Sequence, residues 1–125
     1  HVNVVDSSGW LEFFAGSDRA ALFEAAIEDV DALVVPAISL YEVYRVVLRQ
    51  RSQTDALNAI AFMRQGSIVD VDAELALAAA ELSVEHGLPM ADAMILASAR
   101  RTEAVLWTQD ADFEGIDGVR FFPKR

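Results

Sequence analysis

A short apolar run that ends in an acid and two serines decides the fold of this chain: Val2-Asn3-Val4-Val5-Asp6-Ser7-Ser8. Its β-branched residues favour a buried strand. The stretch 8–15 that follows carries large apolar residues in a pattern that predicts a short helix. The same succession of apolar run and helical stretch recurs along the chain. Further strands are predicted at 33–35, 68–71, 105–107 and 119–122, the last at an edge of the sheet.

Helical patterns separate these strands. Besides 8–15, helices are predicted over 19–28, 39–51, 54–65, 73–85 and 91–101. Asp18 is placed to cap the helix that begins at Arg19. Because strands alternate with helices, the pattern predicts βαβ units in a mostly parallel sheet of about five strands, with helices on both faces. We predict one α/β domain over residues 1–125.

Composition narrows the classes of protein that the chain can represent. Hydrophobic residues make up 54% of the chain, which predicts a fully buried sheet and an additional apolar face for a partner. The net charge of −10 argues against non-specific binding of nucleic acid. It does not exclude an enzyme that acts on nucleic acid, because an acidic pocket filled with metal presents positive charge locally.

Several functions have no support in the sequence. The chain contains no cysteine, which excludes disulfides and zinc–thiolate sites. No apolar run reaches the ~18–20 residues needed to cross a bilayer, and the polar residues after the first strand argue against a signal peptide. Neither GxxxxGK[ST] nor GxGxxG is present, so nucleotide-binding loops are not indicated. We therefore expect a cytoplasmic protein.

Four acidic residues stand where an α/β protein places its chemistry. Asp6 and Asp110 each follow a strand, and Asp112 lies two residues further on. Glu42 lies one turn into the helix after the second strand, and Asp92 opens the last long helix. In a parallel sheet, these positions line one crevice at the carboxyl ends of the strands. Carboxylates in one crevice repel one another unless a cation or shared protons offset them. The set therefore predicts a divalent-metal site, and oxygen ligands suit Mg²⁺ or Mn²⁺.

Three of these acids also have a structural explanation. Asp6 is placed to cap the helix that begins near Ser8, although the neighbouring serines suit that role equally well. Ser39 and Glu42 match a capping box, which leaves the role of Glu42 open. Asp92 is placed to cap its own helix. We favour a site role for Asp92, because a half-buried carboxylate among small apolar residues needs a partner.

The stretch after the fourth strand also suits a turn, for which aspartate is common. We choose Asp110 as the site residue because it lies closer to the strand end. Asp112 and the hydroxyl of Thr108 are candidates to support it.

Two arginines follow Glu42 at helical spacing. Arg45 and Arg49 therefore lie on the same helix face as Glu42. Arginine is suited to gripping a phosphate through two parallel hydrogen bonds. Ordinary ion pairs along the helix explain the spacing equally well, so the sequence leaves both roles open.

These motifs, taken in order, resemble PIN-domain ribonucleases, especially the VapC-like toxins of type II toxin–antitoxin systems. The matching pieces are Val4-Val5-Asp6-Ser7-Ser8, Ser39-Leu40-Tyr41-Glu42-Val43, Leu88-Pro89-Met90-Ala91-Asp92-Ala93-Met94-Ile95-Leu96-Ala97 and Leu106-Trp107-Thr108-Gln109-Asp110-Ala111-Asp112-Phe113. No single piece is specific, but the ordered set of four spans essentially the whole chain with the family's spacing.

The resemblance implies a PIN-like three-layer α/β/α domain and an Mg²⁺- or Mn²⁺-dependent endoribonuclease. It implies that the acids at the four strand and helix positions bind the metal and act in catalysis: Asp6, Glu42, Asp92 and Asp110. Asp112 would share the metal. The resemblance also implies an RNA substrate, a homodimer and a cognate antitoxin protein that neutralises the enzyme.

Two other functions remain beside this one. A PIN-like module that binds a partner protein or RNA without catalysis is the main alternative, and the intact acidic set argues against it. A metal-dependent phosphatase or phospho-receiver also uses strand-end aspartates. The chain lacks DxDxT after its first strand and the paired acids and strand-end lysine of a receiver.

Overall fold

Strands and helices alternate along residues 1–124, the part of the chain that the computed structural model describes. Arg125, the last residue of the predicted domain, lies outside the described residues. Strands β1 to β5 are Asn3–Val5, Leu33–Pro36, Ser67–Val69, Val105–Thr108 and Val119–Phe121. Helices α1 to α6 are Ser7–Ala15, Ala21–Glu28, Ala37–Gln50, Gln53–Met63, Ala73–His86 and Met90–Arg101. Two short 3₁₀ helices, Val30–Ala32 and Ala111–Phe113, precede β2 and follow β4.

The five strands form one sheet in the order β3-β2-β1-β4-β5. All four neighbouring pairs are parallel. The first strand therefore lies at the centre of the sheet, and the last lies at an edge. This arrangement confirms the prediction of a mostly parallel sheet of about five strands.

Each face of the sheet buries its own core, because successive strand residues point to opposite sides. On one face, Val4 and Leu106 pack with residues of α5 and α6. On the other face, Val5 and Trp107 pack with residues of α1, α2, α3 and α4. Helices thus cover both faces, which confirms the three-layer α/β/α architecture. Within the described residues, no helix combines the length and apolar character needed to span a membrane.

The start of α3 differs from the prediction. The helix begins at Ala37, because Pro36 ends β2 in an extended conformation and stands at the N-cap position. Ser39 consequently lies inside the helix, where its hydroxyl is buried with no hydrogen-bond partner in residues 1–124. The capping-box explanation of Glu42 is therefore wrong.

The predicted cap at Asp18 is also wrong. Helix α2 begins at Ala21 with Ala20 at the N-cap position and no side-chain cap. The residues before it form a turn, in which the N–H of Ala20 donates to the carbonyl of Ser17 at 3.0 Å. The hydroxyl of Ser17 accepts a hydrogen bond from the N–H of Arg19 at 3.2 Å, so serine serves this corner instead of aspartate.

Candidate functional site

Pairing of β1 with β4 brings Asp6 beside Thr108. Val5 lies opposite Trp107, and the N–H of Asp6 donates to the carbonyl of Trp107 at 3.0 Å, so the pairing continues past the end of β1. The buried hydroxyl of Thr108 donates to Oδ2 of Asp6 at 2.8 Å and accepts from the N–H of Asp110 at 3.0 Å. Thr108 therefore links two predicted site acids that come from different strands.

Asp6 is the N-cap of α1 as well as a buried acid. Its Oδ1 accepts from the N–H of Ser7 at 2.7 Å, and its Oδ2 accepts from the hydroxyl of Ser8 at 3.3 Å. The prediction that the serines suit the cap equally well is wrong, because both donate to Asp6. Burial raises the pKa of Asp6 to about 6, and repulsion from Asp110 and Glu42 acts in the same direction. The hydrogen bonds from Thr108 and Ser7 oppose this increase.

Ser7 links Glu42 to the carboxyl end of β1, where Asp6 lies. The hydroxyl of Ser7 donates to Oε1 of Glu42 at 2.7 Å, across 35 residues of sequence. Glu42 therefore has a tertiary contact beside the end of β1, which a helix cap would not provide. This role of Ser7 was not predicted from the sequence. The available signal was a hydroxyl placed directly after a strand-end aspartate.

Asp92 reaches the crevice without serving as a cap. Helix α6 begins at Met90, and Pro89 stands at the N-cap position with no side-chain cap, so the capping explanation of Asp92 is wrong. Carboxylate oxygens of Asp92, Asp110 and Asp112 all lie within 4.8 Å of one another. The start of α6 and the end of β4 thus contribute acids to one small volume.

The charges around Asp92 are repulsive. Burial raises the pKa of Asp92 to about 7, and repulsion from neighbouring carboxylates adds to the effect. In decreasing order, these neighbours are Asp6, Asp110, Glu42 and Asp112. Bound protons or a bound cation relieve such repulsion. Since every donor is a carboxylate oxygen, the set fits a divalent cation such as Mg²⁺ or Mn²⁺.

Asp110 and Asp112 combine a turn with a place in the cluster. Asp110 is the N-cap of the 3₁₀ helix Ala111–Phe113, and its Oδ1 accepts from the N–H of Asp112 at 2.9 Å. Asp110 is half-buried and Asp112 is exposed. The choice of Asp110 as the main ligand and Asp112 as its support stays a prediction.

The sequence of the chain matches the profile of the PIN domain over residues 4–119. The chain belongs to the PIN domain family. This match confirms the resemblance that the four motifs indicated. A comparison with curated protein sequences finds no match.

Three solved structures show how closely this PIN domain follows a known fold. A toxin–antitoxin complex from Klebsiella pneumoniae matches with a TM-score of 0.78 at 23% identity, over 94% of this chain and 95% of that chain. VapC20 from Mycobacterium tuberculosis, a toxin described as cleaving the sarcin–ricin loop, matches with a TM-score of 0.75 at 21% identity, over 91% and 94%. VapBC2 from Rickettsia felis, bound to a DNA fragment from its promoter, matches with a TM-score of 0.74 at 16% identity, over 98% of each chain. At these identities the likeness concerns the fold.

The two arginines that follow Glu42 in this PIN domain are exposed. Within residues 1–124, the side chain of neither Arg45 nor Arg49 donates a hydrogen bond or forms an ion pair. The alternative of ordinary ion pairs along α3 is therefore wrong for the described residues. A role in gripping phosphate stays a prediction.

A groove of about 620 Å³ lies apart from the acid cluster, between α1, α3 and α4. Its apolar lining includes Phe14, Val47 and Phe62, and its polar rim includes Arg51 and Asp55. None of the acids predicted for the metal site lines it. The PIN domain thus carries an acidic crevice and a separate, mainly apolar groove.

Proposed function

We propose that this PIN domain is a metal-dependent endoribonuclease and acts as the toxin of a toxin–antitoxin pair. The observation that carries the proposal is the convergence of carboxylates around Asp92, where burial and mutual repulsion raise its pKa to about 7. The Mycobacterium tuberculosis toxin of the same fold, described as cleaving the sarcin–ricin loop, supports RNA as the substrate.

The acid cluster is the proposed site of Mg²⁺ or Mn²⁺. The oxygens of Asp92, Asp110 and Asp112, within 4.8 Å of one another, would hold the cation, with Asp6 and Glu42 completing the set. When bound, such a cation polarises a water molecule and the scissile phosphate, and it stabilises the leaving oxygen. Asp6, Glu42, Asp92 and Asp110 are the acids to which we assign catalysis.

Hydrogen bonds hold two of these acids before any substrate arrives. Thr108 and the N–H of Ser7 fix the two oxygens of Asp6 at 2.8 Å and 2.7 Å. The hydroxyl of Ser7 fixes one oxygen of Glu42, which leaves the other free to hold the cation or to orient the attacking water. Groups that are oriented in advance need no reorganisation during the reaction. The expected products carry a 5′-phosphate and a 3′-hydroxyl.

Arg45 and Arg49 are the proposed grip for the RNA backbone. Both lie on the face of α3 that carries Glu42, and both guanidinium groups are exposed. Arginine recognises phosphate through paired, charge-assisted hydrogen bonds. The net charge of −10 makes such local positive charge necessary for binding RNA near the crevice.

Cleavage of total RNA by the purified protein tests the proposal. Reactions with Mg²⁺, Mn²⁺ or EDTA are compared for the wild type, Asp92→Asn and Asp31→Asn. Asp31 supplies a matched control. It is exposed in the 3₁₀ helix that precedes β2, so it lies at the amino ends of the strands, opposite the acid cluster. We expect discrete, metal-dependent fragments from the wild type and Asp31→Asn only. Cleavage by Asp92→Asn at the wild-type rate would refute the site.

The proposed assembly is a homodimer. Helix α5 exposes Leu77 and Val84, which are 70% and 89% exposed to solvent. Residues seven apart on a helix lie on one face, and exposed apolar side chains of this size suit a protein partner. Sedimentation of the wild type and of Leu77→Glu tests this surface. We expect a dimer for the wild type and a monomer for the variant.

A cognate antitoxin is the second proposed partner. The Klebsiella pneumoniae structure is a toxin–antitoxin complex, and the acidic crevice suits a basic side chain that would block it. Co-expression with a candidate antitoxin should yield a complex in which RNA cleavage is suppressed. A cytoplasmic location and one domain over residues 1–125 complete the proposal.

A further inference from the structure

Gln109 follows Thr108, which bonds two of the acids, and precedes Asp110, which belongs to the cluster, yet its side chain points away from the cluster. Thr108 and Asp110 face the crevice, and Gln109 faces α1, as alternation along an extended chain requires. The amide of Gln109 is buried, and both of its ends are bonded. Its Oε1 accepts from Nε of Arg19, and its Nε2 donates to Oε2 of Glu12 at 2.9 Å.

The two partners of Gln109 are themselves held in place. The other carboxylate oxygen of Glu12 accepts from the hydroxyl of Ser17 at 2.9 Å. Arg19 also donates through Nη2 to the carbonyls of Phe122 at 3.1 Å and Pro123 at 3.4 Å, after β5. The hydrogen bond from Gln109 is the main reason why the pKa of Glu12 lies below its usual range. Glu12, Arg19 and Gln109 thus form a clamp. It connects α1, the turn before α2 and the segment after β5.

A buried amide with both ends bonded has one favourable orientation, because rotation would leave polar atoms unpaired. Fixing this side chain fixes the backbone between Thr108 and Asp110. That backbone carries the N–H of Asp110, which donates to Thr108 at 3.0 Å, and it sets the position of the Asp110 carboxylate. Mg²⁺ demands near-ideal ligand geometry, so a small backbone displacement at this point is costly for metal binding.

We infer that Gln109, clamped by Glu12 and Arg19, is a positioning residue that holds Asp110 in the acid cluster from the reverse side of β4. The inference rests on the proposed function, because it requires that the cluster binds a divalent cation. It extends that function by assigning a role to three residues that do not touch the crevice.

Calorimetric titration of the full chain with Mn²⁺ tests the inference without measuring catalysis. Gln109→Leu should weaken binding about tenfold, the lower end of the range typical for residues that support metal ligands. Gln109→Glu should weaken it as well, because the new carboxylate faces Glu12. Adding Glu12→Gln to Gln109→Glu exchanges the two groups. The carboxylate at position 109 then accepts from Arg19 and from the amide at position 12, so both contacts form again and affinity should recover. Gln65→Leu, at an exposed position after α4, is the matched control.

The outcomes separate this inference from the proposed function. If the wild type binds no Mn²⁺, the metal site and the inference are both overturned. If the wild type binds and the two Gln109 variants bind equally well, the inference alone is overturned. Melting temperatures are measured for every variant. If Gln109→Leu does not fold, the Mn²⁺ affinities of Gln109→Glu and of the exchanged pair are compared instead. Equal affinities of these two variants would overturn the inference. An exchanged pair that regains stability without regaining affinity would also overturn the inference.

Discussion

Replacement of Asp92 by asparagine should stabilise the metal-free protein at neutral and higher pH. Within residues 1–124, the Asp92 carboxylate accepts no hydrogen bond and caps no helix, so the amide removes charge without removing a bond. The charge that disappears is partly buried and faces four other carboxylates. A residue that we assign to metal binding is therefore expected to destabilise the fold when no metal is present.

The magnitude follows from the pKa of Asp92, which rises from 3.8 to about 7 in the folded protein. Because the folded state binds this proton more tightly than the unfolded chain, stability is highest below the unfolded pKa and is lost as the pH rises to about 7. A pKa difference of about 3 corresponds to ~4 kcal/mol. Since Asp92 is only half-buried, screening by solvent roughly halves this figure to ~2 kcal/mol. For a chain of this length, that is about 8 °C in melting temperature.

Thermal unfolding in EDTA at pH 4 and pH 8 measures the effect. We expect Asp92→Asn to melt about 8 °C above the wild type at pH 8 and close to it at pH 4. Asp31→Asn should follow the wild type at both values. Saturating Mn²⁺ should raise the melting temperature of the wild type more than that of Asp92→Asn. If Asp92→Asn melts at or below the wild type in EDTA at pH 8, the reasoning from burial and repulsion is refuted.

Two further substitutions test contacts around the crevice, and a third tests the packing of α1 in the core. Ser7→Ala removes the hydroxyl that holds Glu42, and we expect Mn²⁺ affinity to fall about tenfold by calorimetry with an unchanged circular dichroism spectrum; unaltered affinity would show that Glu42 needs no such support. Thr108→Val removes a hydrogen bond that lowers the pKa of Asp6, so NMR titration of the Asp6 carboxyl carbon should give a pKa above about 6. A lower pKa would contradict this role of Thr108. Gly9→Ala places a methyl group 2.8 Å from a phenylalanine ring carbon and a valine methyl, and should cost ~1–3 kcal/mol in urea unfolding. An unchanged unfolding midpoint would mean that the surrounding core yields freely.

The sheet was predictable because its three inner strands, β1, β2 and β4, are almost wholly buried. Such strands appear in the sequence as continuous apolar runs, and the helical stretches between them require parallel crossovers. The ends of helices were less predictable. At α3, the serine and glutamate of a capping box are present. The helix nevertheless begins at Ala37, two residues before Ser39, because Pro36 occupies the N-cap position. The local pattern placed the cap at Ser39, whereas the end of β2 at Pro36 determines where the helix begins.

The acids of the site could be predicted because their places follow from strand ends and helix starts. The groups that orient them could not. The bond from Ser7 to Glu42 spans 35 residues, and the bond from Arg19 to Gln109 spans 90. These contacts depend on the register between β1 and β4 and on the packing of α1 against the sheet. Neither quantity is encoded in the spacing of residues along the chain.

The central position of β1 has a consequence for the moment at which the acid cluster can assemble. The ribosome adds Thr108, the partner of Asp6, 102 residues after Asp6 itself. At ordinary rates of translation this interval is about 5–20 s. Throughout it, the side of β1 that will pair with β4 stays open and the nascent chain lacks Asp110; until residue 92 is added, it lacks Asp92 as well. An incomplete polypeptide therefore carries no assembled acid cluster, and each molecule acquires one only when the strand beside its first strand has been made.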